Sequence, residues 1–250
     1  MIDVAFSRPE IRPARVAIVI DVLRATSTAT EALAAGYRRV LCAESIERAR
    51  SLRGEERVLA GERHCVMPDG FDQGNSPREA AVRRGEDLIL ATTNGAPAIV
   101  AAAAVSDQVI LGCLLNLSAV LTALRGREDW TRLDLQLICS GTDGAPALED
   151  AYVAGLISAV LPGPRSDAAL ICEAVARAYP TPVEALAASA DAAILRGARL
   201  EADIAHCATV SRLDCVPTVV GTQVGVAIVA AGADGLAPAL GASDRGTVSA

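Results

Sequence analysis

An eight-residue segment near the N-terminus combines a carboxylate, a guanidinium and three hydroxyls. Asp21 follows the apolar run VAIVI, Arg24 comes three residues later, and Thr26, Ser27 and Thr28 open an alanine-rich stretch that predicts a helix. The first N–H groups of a helix have no partner within it and carry partial positive charge, which attracts phosphate or sulfonate. Arg24 can add two parallel hydrogen bonds to such an oxyanion. The segment predicts an anion site in which Asp21 binds a metal or the phosphoryl group; an ordinary helix cap is the structural alternative.

Three further segments place polar side chains where a predicted strand gives way to a helix. The candidates are Glu62, Arg63, Asp72, Asn75 and Ser76 in one segment, Thr92, Thr93, Asn94 and Gly95 in the next, and Gly141, Glu149 and Asp150 in the last. Hydroxyls, amides and glycines at such turns suit an anion nest. Each candidate also has a structural interpretation, since Asn75 and Ser76 can cap a helix and the pair Glu149–Asp150 can complement a helix dipole.

The carboxylates in these segments predict a magnesium site. The candidate ligands are Asp21, Asp72, Glu149 and Asp150. All are oxygen donors and no histidine-rich cluster accompanies them, which favours Mg²⁺ over zinc.

The familiar phosphotransfer motifs are missing. A cysteine-nucleophile loop would need an arginine six residues after Cys139, where the chain has Ala145. A second acid two residues after Asp21, as in aspartyl-phosphate enzymes, is replaced by Leu23. The chain has no lysine, which excludes a Walker-type phosphate lysine and a Schiff base. Cys139 is therefore interpreted as a structural thiol.

The elements that must position these turns alternate short β-rich runs with alanine-rich helical runs, which is typical of an α/β fold. We expect a three-layer α/β/α architecture with a largely parallel or mixed sheet, in which ligands bind beyond the carboxyl ends of the strands. Residues 1–235 form one predicted domain, with two closely packed halves left open, and residues 236–250 a flexible tail. The predicted strands are 16–22, 39–42, 58–62, 88–91, 108–111, 135–139 and 215–220, and the predicted helices are 26–35, 45–52, 77–84, 96–104, 116–125, 146–160, 166–178, 182–196 and 201–211. The apolar segment 224–231 could be a strand or a helix, and its β-branched valines favour a strand.

Two segments of nearly identical sequence follow predicted strands. Thr93-Asn-Gly-Ala-Pro-Ala and Thr142-Asp-Gly-Ala-Pro-Ala each place a cap residue and a proline where a helix should begin. The repetition raises the hypothesis of a pseudo-duplicated core.

Composition narrows the class of partner and the compartment. A net charge of −7 and 2% aromatic residues argue against binding to nucleic acid or an anionic membrane. Seven cysteines without a CxxC pair indicate free thiols in a reducing compartment. The apolar runs are too short to span a bilayer, and the N-terminus lacks a signal-peptide pattern. We expect a cytoplasmic protein with a small anionic partner; a homo-oligomer is left open.

Taken together, the motifs resemble those of the 2-phosphosulfolactate phosphatase family. The matching stretches are Asp21-Val-Leu-Arg-Ala-Thr-Ser-Thr, Gly61-Glu-Arg, Gly70-Phe-Asp, Gly74-Asn-Ser-Pro, Thr92-Thr-Asn-Gly, Cys139-Ser-Gly through Glu149-Asp150 and Gly155, Ser189 to Gly197, and Asp203 to Pro217. They follow in order over most of the chain. The sequence departs from the family pattern at Ala96, where the family tends to have Thr, and at Leu200, where it tends to have an aromatic residue.

The resemblance implies a Mg²⁺-dependent phosphomonoesterase that converts 2-phospho-3-sulfolactate to 3-sulfolactate, a step towards coenzyme M. Such a substrate carries phosphate, carboxylate and sulfonate, for which Arg24 and Arg63 are candidate partners. Asp21, Arg24 and Glu62 are the expected catalytic residues. Whether water attacks directly or Asp21 first takes the phosphoryl group stays open. So do a different 2-phospho acid as substrate and a non-catalytic binder of phosphorylated metabolites.

Overall fold

A computed structural model describes residues 1–232 of the chain. Within this range the strands are β1 (Ile2–Ala5), β2 (Val16–Ile20), β3 (Arg39–Ala43), β4 (Arg57–Gly61), β5 (Asp87–Ala91), β6 (Gln108–Gly112), β7 (Leu135–Cys139), β8 (Pro217–Gln223) and β9 (Val226–Ala231). The helices are α1 (Ala25–Ala34), α2 (Ile46–Ser51), α3 (Pro77–Ala80), α4 (Gly95–Val105), α5 (Leu117–Arg125), α6 (Leu148–Val160), α7 (Asp167–Ala178), α8 (Pro182–Ala187), α9 (Ala190–Gly197) and α10 (Glu201–Cys207). The predicted boundary at 235 and the predicted tail at 236–250 lie outside the described residues.

All nine of these strands belong to one mixed sheet, in the order β1-β7-β2-β6-β8-β9-β3-β5-β4. Strands β1, β7, β2 and β6 pair in parallel, as do β3, β5 and β4. The hairpin of β8 and β9 lies between these two blocks and pairs antiparallel with both. The second block therefore runs opposite to the first across the sheet.

Sheet twist explains how strand ends from the two opposed blocks meet in one place. In sheets generally, adjacent strands rotate by roughly 20–25°, so seven steps, the number from β7 to β4, would accumulate roughly half a turn. That rotation compensates for the reversed direction of the second block. Helix α4 starts just after β5 and packs on strands of both blocks, including β2, β6 and β3. The turns after β2, β7, β4 and β5 are thereby brought together.

Both faces of the sheet are buried, so alternate side chains along a strand pack into different cores. In β2, Val16, Ile18 and Ile20 pack into a core with α5 to α10, whereas Ala17 and Val19 pack into a second core with α1 and α4. A third, smaller core lies between α2 and the β3-β5-β4 block. The predicted three-layer α/β/α architecture with a mixed sheet is confirmed.

Most predicted elements are present, with local differences that have physical causes. Strand β1, which has four residues and pairs only at the sheet edge, was not predicted from the sequence. The predicted helix at 182–196 is two helices, because the Ser189 side chain accepts a hydrogen bond from the N–H of Ala192 and starts α9. The predicted helix at 201–211 ends at Cys207, and that at 77–84 ends at Ala80.

The two similar segments adopt different conformations. After β5, helix α4 begins directly at Gly95. After β7, Thr142 pairs with Ala145 in a tight turn, and α6 begins only at Leu148. The repeated letters therefore do not mark a repeated structural unit. Among residues 1–232, no helix is long and apolar enough to cross a membrane.

Candidate active site

A cavity of about 200 Å³ lies where the turns after β2, β4, β5 and β7 meet helix α9. Six residues that the sequence singled out line it: Asp21, Arg24, Glu62, Asn75, Thr93 and Asn94. Eight others also line it: Leu23, His64, Cys65, Thr142, Asp143, Asp191, Ile194 and Leu195. The other candidates do not line it: Thr26, Ser27, Thr28, Arg63, Asp72, Ser76, Thr92, Gly95, Gly141, Glu149 and Asp150. The roles of all these residues in binding or catalysis stay predictions.

Asp21 lies at the base of the cavity with 8% of its surface exposed. Its Oδ1 accepts a hydrogen bond of 2.9 Å from the N–H of Ala25, the first residue of α1. Burial raises the pKa of Asp21 to about 7, and the charges of Asp191 and Glu62 add to this, while the Ala25 N–H and Arg24 oppose it. Asp21 can therefore gain or lose a proton near neutral pH.

The three hydroxyls at the start of α1 face the protein interior instead of the cavity. Thr26 donates to the carbonyl of Asp21 at 2.8 Å, and Ser27 donates to the carbonyl of Val22 at 2.8 Å. Thr28 donates to the carbonyl of Asn75 at 3.2 Å. A fully buried hydroxyl needs a partner, and in this tightly packed helix the partners are backbone carbonyls. The first N–H of α1, that of Ala25, likewise donates to Asp21. The groups of the predicted anion nest are therefore hydrogen-bonded within the protein.

Arg24 is the one arginine among the residues that line the cavity, and it is almost fully buried. The peptide bond that joins it to Leu23 is cis. Its Nη1 donates to Oδ2 of Asp203 at 2.7 Å. Ser76 does not reach the cavity, because its hydroxyl donates to Oδ1 of the same Asp203 at 2.8 Å.

Asn75 and Glu62 face the cavity from the β4 side. The Oδ1 of Asn75 is buried and has no hydrogen-bond partner within the described chain, so it is free for a ligand. Glu62 accepts from the N–H and the hydroxyl of Thr93, at 2.7 and 3.1 Å, and from the N–H of Cys65 at 2.9 Å. Glu62 thus holds together the turns that follow β4 and β5. Thr92 faces away, since its hydroxyl accepts from the N–H of Ala96 inside α4.

Two tight turns of the same kind border the cavity from opposite blocks of the sheet. The turn at 63–66 and the turn at 142–145 are each closed by two backbone hydrogen bonds of 2.8 to 3.1 Å. Both central residues of each turn have positive φ, as in a type I′ turn: 50° and 62° in the first, 53° and 82° in the second. The first turn places His64 and Cys65 at the cavity and leaves Arg63 exposed, away from the lining where the sequence analysis expected it.

Three further carboxylates lie close to one another in the neighbourhood of Asp21. Both oxygens of Asp150 accept backbone N–H groups, from Val22 at 2.9 Å and from Gly141 at 3.3 Å. Glu149 has an oxygen that is buried without a partner. Burial, followed by repulsion from Asp150 and Asp191, raises the pKa of Glu149 well above its ordinary value. Asp191, on α9, accepts a hydrogen bond of 2.6 Å from the hydroxyl of Thr142.

Asp72 lies apart from this group. One of its oxygens accepts the N–H of Leu59 at 2.7 Å, and the other pairs with Arg53 at 3.5 Å. Asp72 thus braces the segment beside β4, which explains its position without a metal.

The carboxylate group fits a divalent cation in part. Within residues 1–232, no set of three or more His, Cys, Asp or Glu side chains is arranged to hold a metal ion. Mg²⁺, however, commonly takes only one or two protein carboxylates and completes its shell with water and phosphate oxygens. The unpartnered oxygen of Glu149 and the mutual repulsion around Asp21 and Asp191 are features that a cation would relieve.

Cys139 has no route to act as a nucleophile in this arrangement. It is fully buried and does not line the cavity. A hydrogen bond with Cys172, together with burial, raises its pKa well above the ordinary value, and only a thiolate would be reactive. Cys139→Ser is therefore expected to keep at least roughly a tenth of the wild-type kcat, because the thiol takes no part in the reaction. Steady-state kinetics, with circular dichroism to confirm folding, would measure it; a folded variant thousands of times slower would contradict the assignment.

A mixed sheet with a carboxylate-rich cavity at the turns that follow β2, β4, β5 and β7 defines an α/β protein with a site for a small polar molecule. Residues 5–222 match the model of the 2-phosphosulpholactate phosphatase family, and the chain belongs to this family of phosphatases. It is 39% identical over 220 residues to a probable 2-phosphosulfolactate phosphatase of Thermus thermophilus, covering 86% of this chain and 91% of that protein. A protein of the same name from Thermotoga petrophila is 36% identical, covering 88% and 96% of the two chains.

Proposed function

We propose that the protein is a Mg²⁺-dependent phosphomonoesterase that hydrolyses 2-phospho-3-sulfolactate, or a close 2-phospho acid, to the hydroxy acid and phosphate. The observation that carries the proposal is the pairing, in one cavity, of a buried guanidinium with a carboxylate whose pKa lies near 7. The guanidinium of Arg24 suits an oxyanion of the substrate. The carboxylate of Asp21 suits proton transfer or attack at the phosphoryl group.

Four residues that line the cavity have separate roles in this proposal. Arg24 binds an oxyanion, and the free Oδ1 of Asn75 accepts from a hydroxyl or water of the ligand. Glu62 fixes the turns that shape one wall. Near neutral pH, Asp21 can give a proton to the leaving oxygen while water attacks phosphorus. When ionised it can instead attack phosphorus itself, the leaving oxygen taking its proton from water and a second water then releasing phosphate; either role uses the same carboxylate.

The charge of the cavity supports a requirement for a cation. Its lining holds the carboxylates Asp21, Glu62, Asp143 and Asp191 against the single guanidinium of Arg24. An anionic substrate entering this field would be repelled without a counter-charge. Asp21 and Asp191, which both line the cavity, are the groups that would hold Mg²⁺, and the bound ion would neutralise charge on the transferring phosphoryl group.

We also propose a cytoplasmic location and a place in coenzyme M biosynthesis. All seven cysteines are free thiols, and six of them are buried. Free thiols in this number persist in a reducing compartment. The pathway is proposed from the substrate named for the relatives, and a panel of phosphorylated substrates tests whether this chain acts on that substrate.

Phosphate release in the presence and absence of Mg²⁺ is the decisive assay. With 2-phospho-3-sulfolactate, the rate in Mg²⁺ is expected to exceed the rate in EDTA by roughly 100-fold or more, because the cation offsets the carboxylates around the phosphoryl group. Adding excess Mg²⁺ back to the chelated protein serves as the control for irreversible damage. A 2-phospho acid without the sulfonate, assayed in parallel, measures how much that group contributes to kcat/KM. Full activity in EDTA would reject the metal requirement, and tight binding of phosphate compounds without turnover would identify a binding protein instead.

A further inference from the structure

The guanidinium of Arg24 is oriented by a carboxylate that comes from the far end of the chain. Asp203 lies on α10, 179 residues away in sequence, and its Oδ2 is 2.7 Å from Nη1 of Arg24. The side chains are 3% and 2% exposed. A charge buried to this extent is stable only with a close partner of opposite charge. Asp203 supplies that partner from a part of the fold that the strand-end turns do not include.

Asp203 is itself fixed in place. Its second oxygen accepts the hydroxyl of Ser76 at 2.8 Å, and Ser76 is the residue that precedes α3. The carboxylate is thus tied to the β4 side of the cavity through Ser76 and to the turn after β2 through Arg24. With both oxygens engaged, it has little freedom to rotate, and the fork of Arg24 is held in one orientation.

Asp203 does not occupy the whole guanidinium, which also makes a hydrogen bond with the thiol of Cys65 in the cavity lining. Among residues 1–232, Asp203 is the carboxylate within hydrogen-bond distance of Arg24, and it pairs with Nη1. Arg24 also lines the cavity. A guanidinium has five N–H donors, so a carboxylate on one side does not exhaust it. The geometry points to a residue that works through its neighbour instead of touching the substrate.

We propose that Asp203 is the positioning residue of the active site: it sets the orientation in which Arg24 binds the oxyanion of the substrate, with Ser76 as its anchor. The proposal rests on the proposed function, since it takes Arg24 as the group that binds the substrate. Loss of the Asp203 charge leaves Arg24 in the cavity but free to turn. Ligand affinity then falls because a guanidinium that is not held in the correct orientation makes poorer hydrogen bonds to the oxyanion.

A double-mutant cycle separates positioning from a merely structural role. The proteins are wild type, Asp203→Asn, Arg24→Gln and the double variant, assayed in Mg²⁺ for kcat and KM and titrated calorimetrically with inorganic phosphate. Asp203→Asn is expected to weaken phosphate binding and raise KM by roughly 10-fold in the wild-type background. In the Arg24→Gln background the same change is expected to alter both by no more than about twofold, because nothing remains to be positioned. Equal effects in the two backgrounds would overturn the proposal.

Asp87→Asn is the matched control. Asp87 is as buried as Asp203 and pairs with Arg39 at 2.6 Å, but it lies at the opposite end of β5 from the cavity. This variant is expected to lose thermal stability while phosphate affinity and KM stay within about twofold of wild type. A fall in phosphate affinity as large as that of Asp203→Asn would show a general effect of losing a buried ion pair and would overturn the assignment.

Two further measurements keep the outcomes distinct. If Asp203→Asn does not fold, Ser76→Ala removes the anchor without leaving a buried charge unpaired, and it should weaken phosphate binding only when Arg24 is present. Turnover by the wild type tests the phosphatase function separately. Phosphate titration tests the coupling between Asp203 and Arg24 whether or not the wild type turns over 2-phospho-3-sulfolactate.

Discussion

Asp21→Asn is expected to lower kcat by roughly 100-fold or more and, at the same time, to raise the melting temperature at alkaline pH. The loss of activity follows because an amide can neither transfer this proton nor attack phosphorus. In metal-free buffer, the stability effect follows from linkage. The folded-state pKa of about 7 lies above the ordinary value of 3.8. The stability that the protonated carboxyl contributes is therefore fully present below about pH 4 and is lost as the pH rises through 7.

The sign of the stability effect is what makes this variant informative. At pH 4, close to the ordinary pKa of 3.8, the wild type should melt close to the variant; at pH 8 it carries a buried charge and should melt lower. Thermal melts in EDTA at both pH values, beside kinetics in Mg²⁺, measure the two effects. An Asp21→Asn protein with wild-type kcat would remove Asp21 from the chemistry, and a lower melting temperature at pH 8 would contradict its raised pKa.

A buried carboxylate with the opposite shift provides the comparison. Burial by itself would raise the pKa of Asp87, but hydrogen bonds from Arg39 and Arg38 outweigh it and lower the pKa. Its stabilising effect is therefore present at neutral pH and lost in acid. Asp87→Asn should melt lower than wild type at pH 8, where Asp21→Asn melts higher.

The sequence predicted the framework of the site because strand ends have a local signal. Short β-branched runs that end in Asp21 or precede Glu62 and Thr93 indicate both the strand and the position where its turn begins. What the sequence could not separate was which polar groups face the ligand. Thr26, Ser27 and Thr28 suit a phosphate and a buried carbonyl equally well, and only the packing of α1 into the core decides for the carbonyl.

Asp191 and Asp203 lie in stretches that match the family pattern, but neither carries a local signal of its role. Asp191 and Asp203 are acids in the first turns of α9 and α10, where a solvent-exposed carboxylate that complements the helix dipole is the ordinary finding. Their position depends on how the C-terminal helices pack on the first block of the sheet. Of the two I′ turns, the one with Asp143-Gly144 has a recognisable sequence, whereas His64-Cys65 does not.

Gly95→Ala is expected to reduce kcat by at least roughly 100-fold, as much as removing the Asp21 carboxylate itself. Gly95 begins α4, and a Cβ built there would overlap Oδ2 of Asp21 and lie 2.5 Å from the Cβ of Ala25. The backbone of Gly95 is not in the left-handed region, so conformational strain is not the cause. The cause is steric overlap, because the start of α4 packs directly against the Asp21 carboxylate. Either Asp21 must leave its hydrogen bond with Ala25 or α4 must shift, and α4 joins the two blocks of the sheet.

Gly197→Ala is the matched control, a glycine-to-alanine change within α9 where a new Cβ meets nothing within 4 Å. Gly197 is the last residue of α9, where alanine gains less than the roughly 1 kcal/mol over glycine of a helix interior, so this variant should melt at or slightly above the wild-type temperature and keep its kinetics. Gly95→Ala should melt lower despite the same gain in helix propensity, since overlap with Asp21 outweighs it. In the double variant, Gly95→Ala should lower kcat little below that of Asp21→Asn alone, because both changes disable the same carboxylate. Wild-type kcat in a folded Gly95→Ala protein would show that the reaction does not depend on where the Asp21 carboxylate lies.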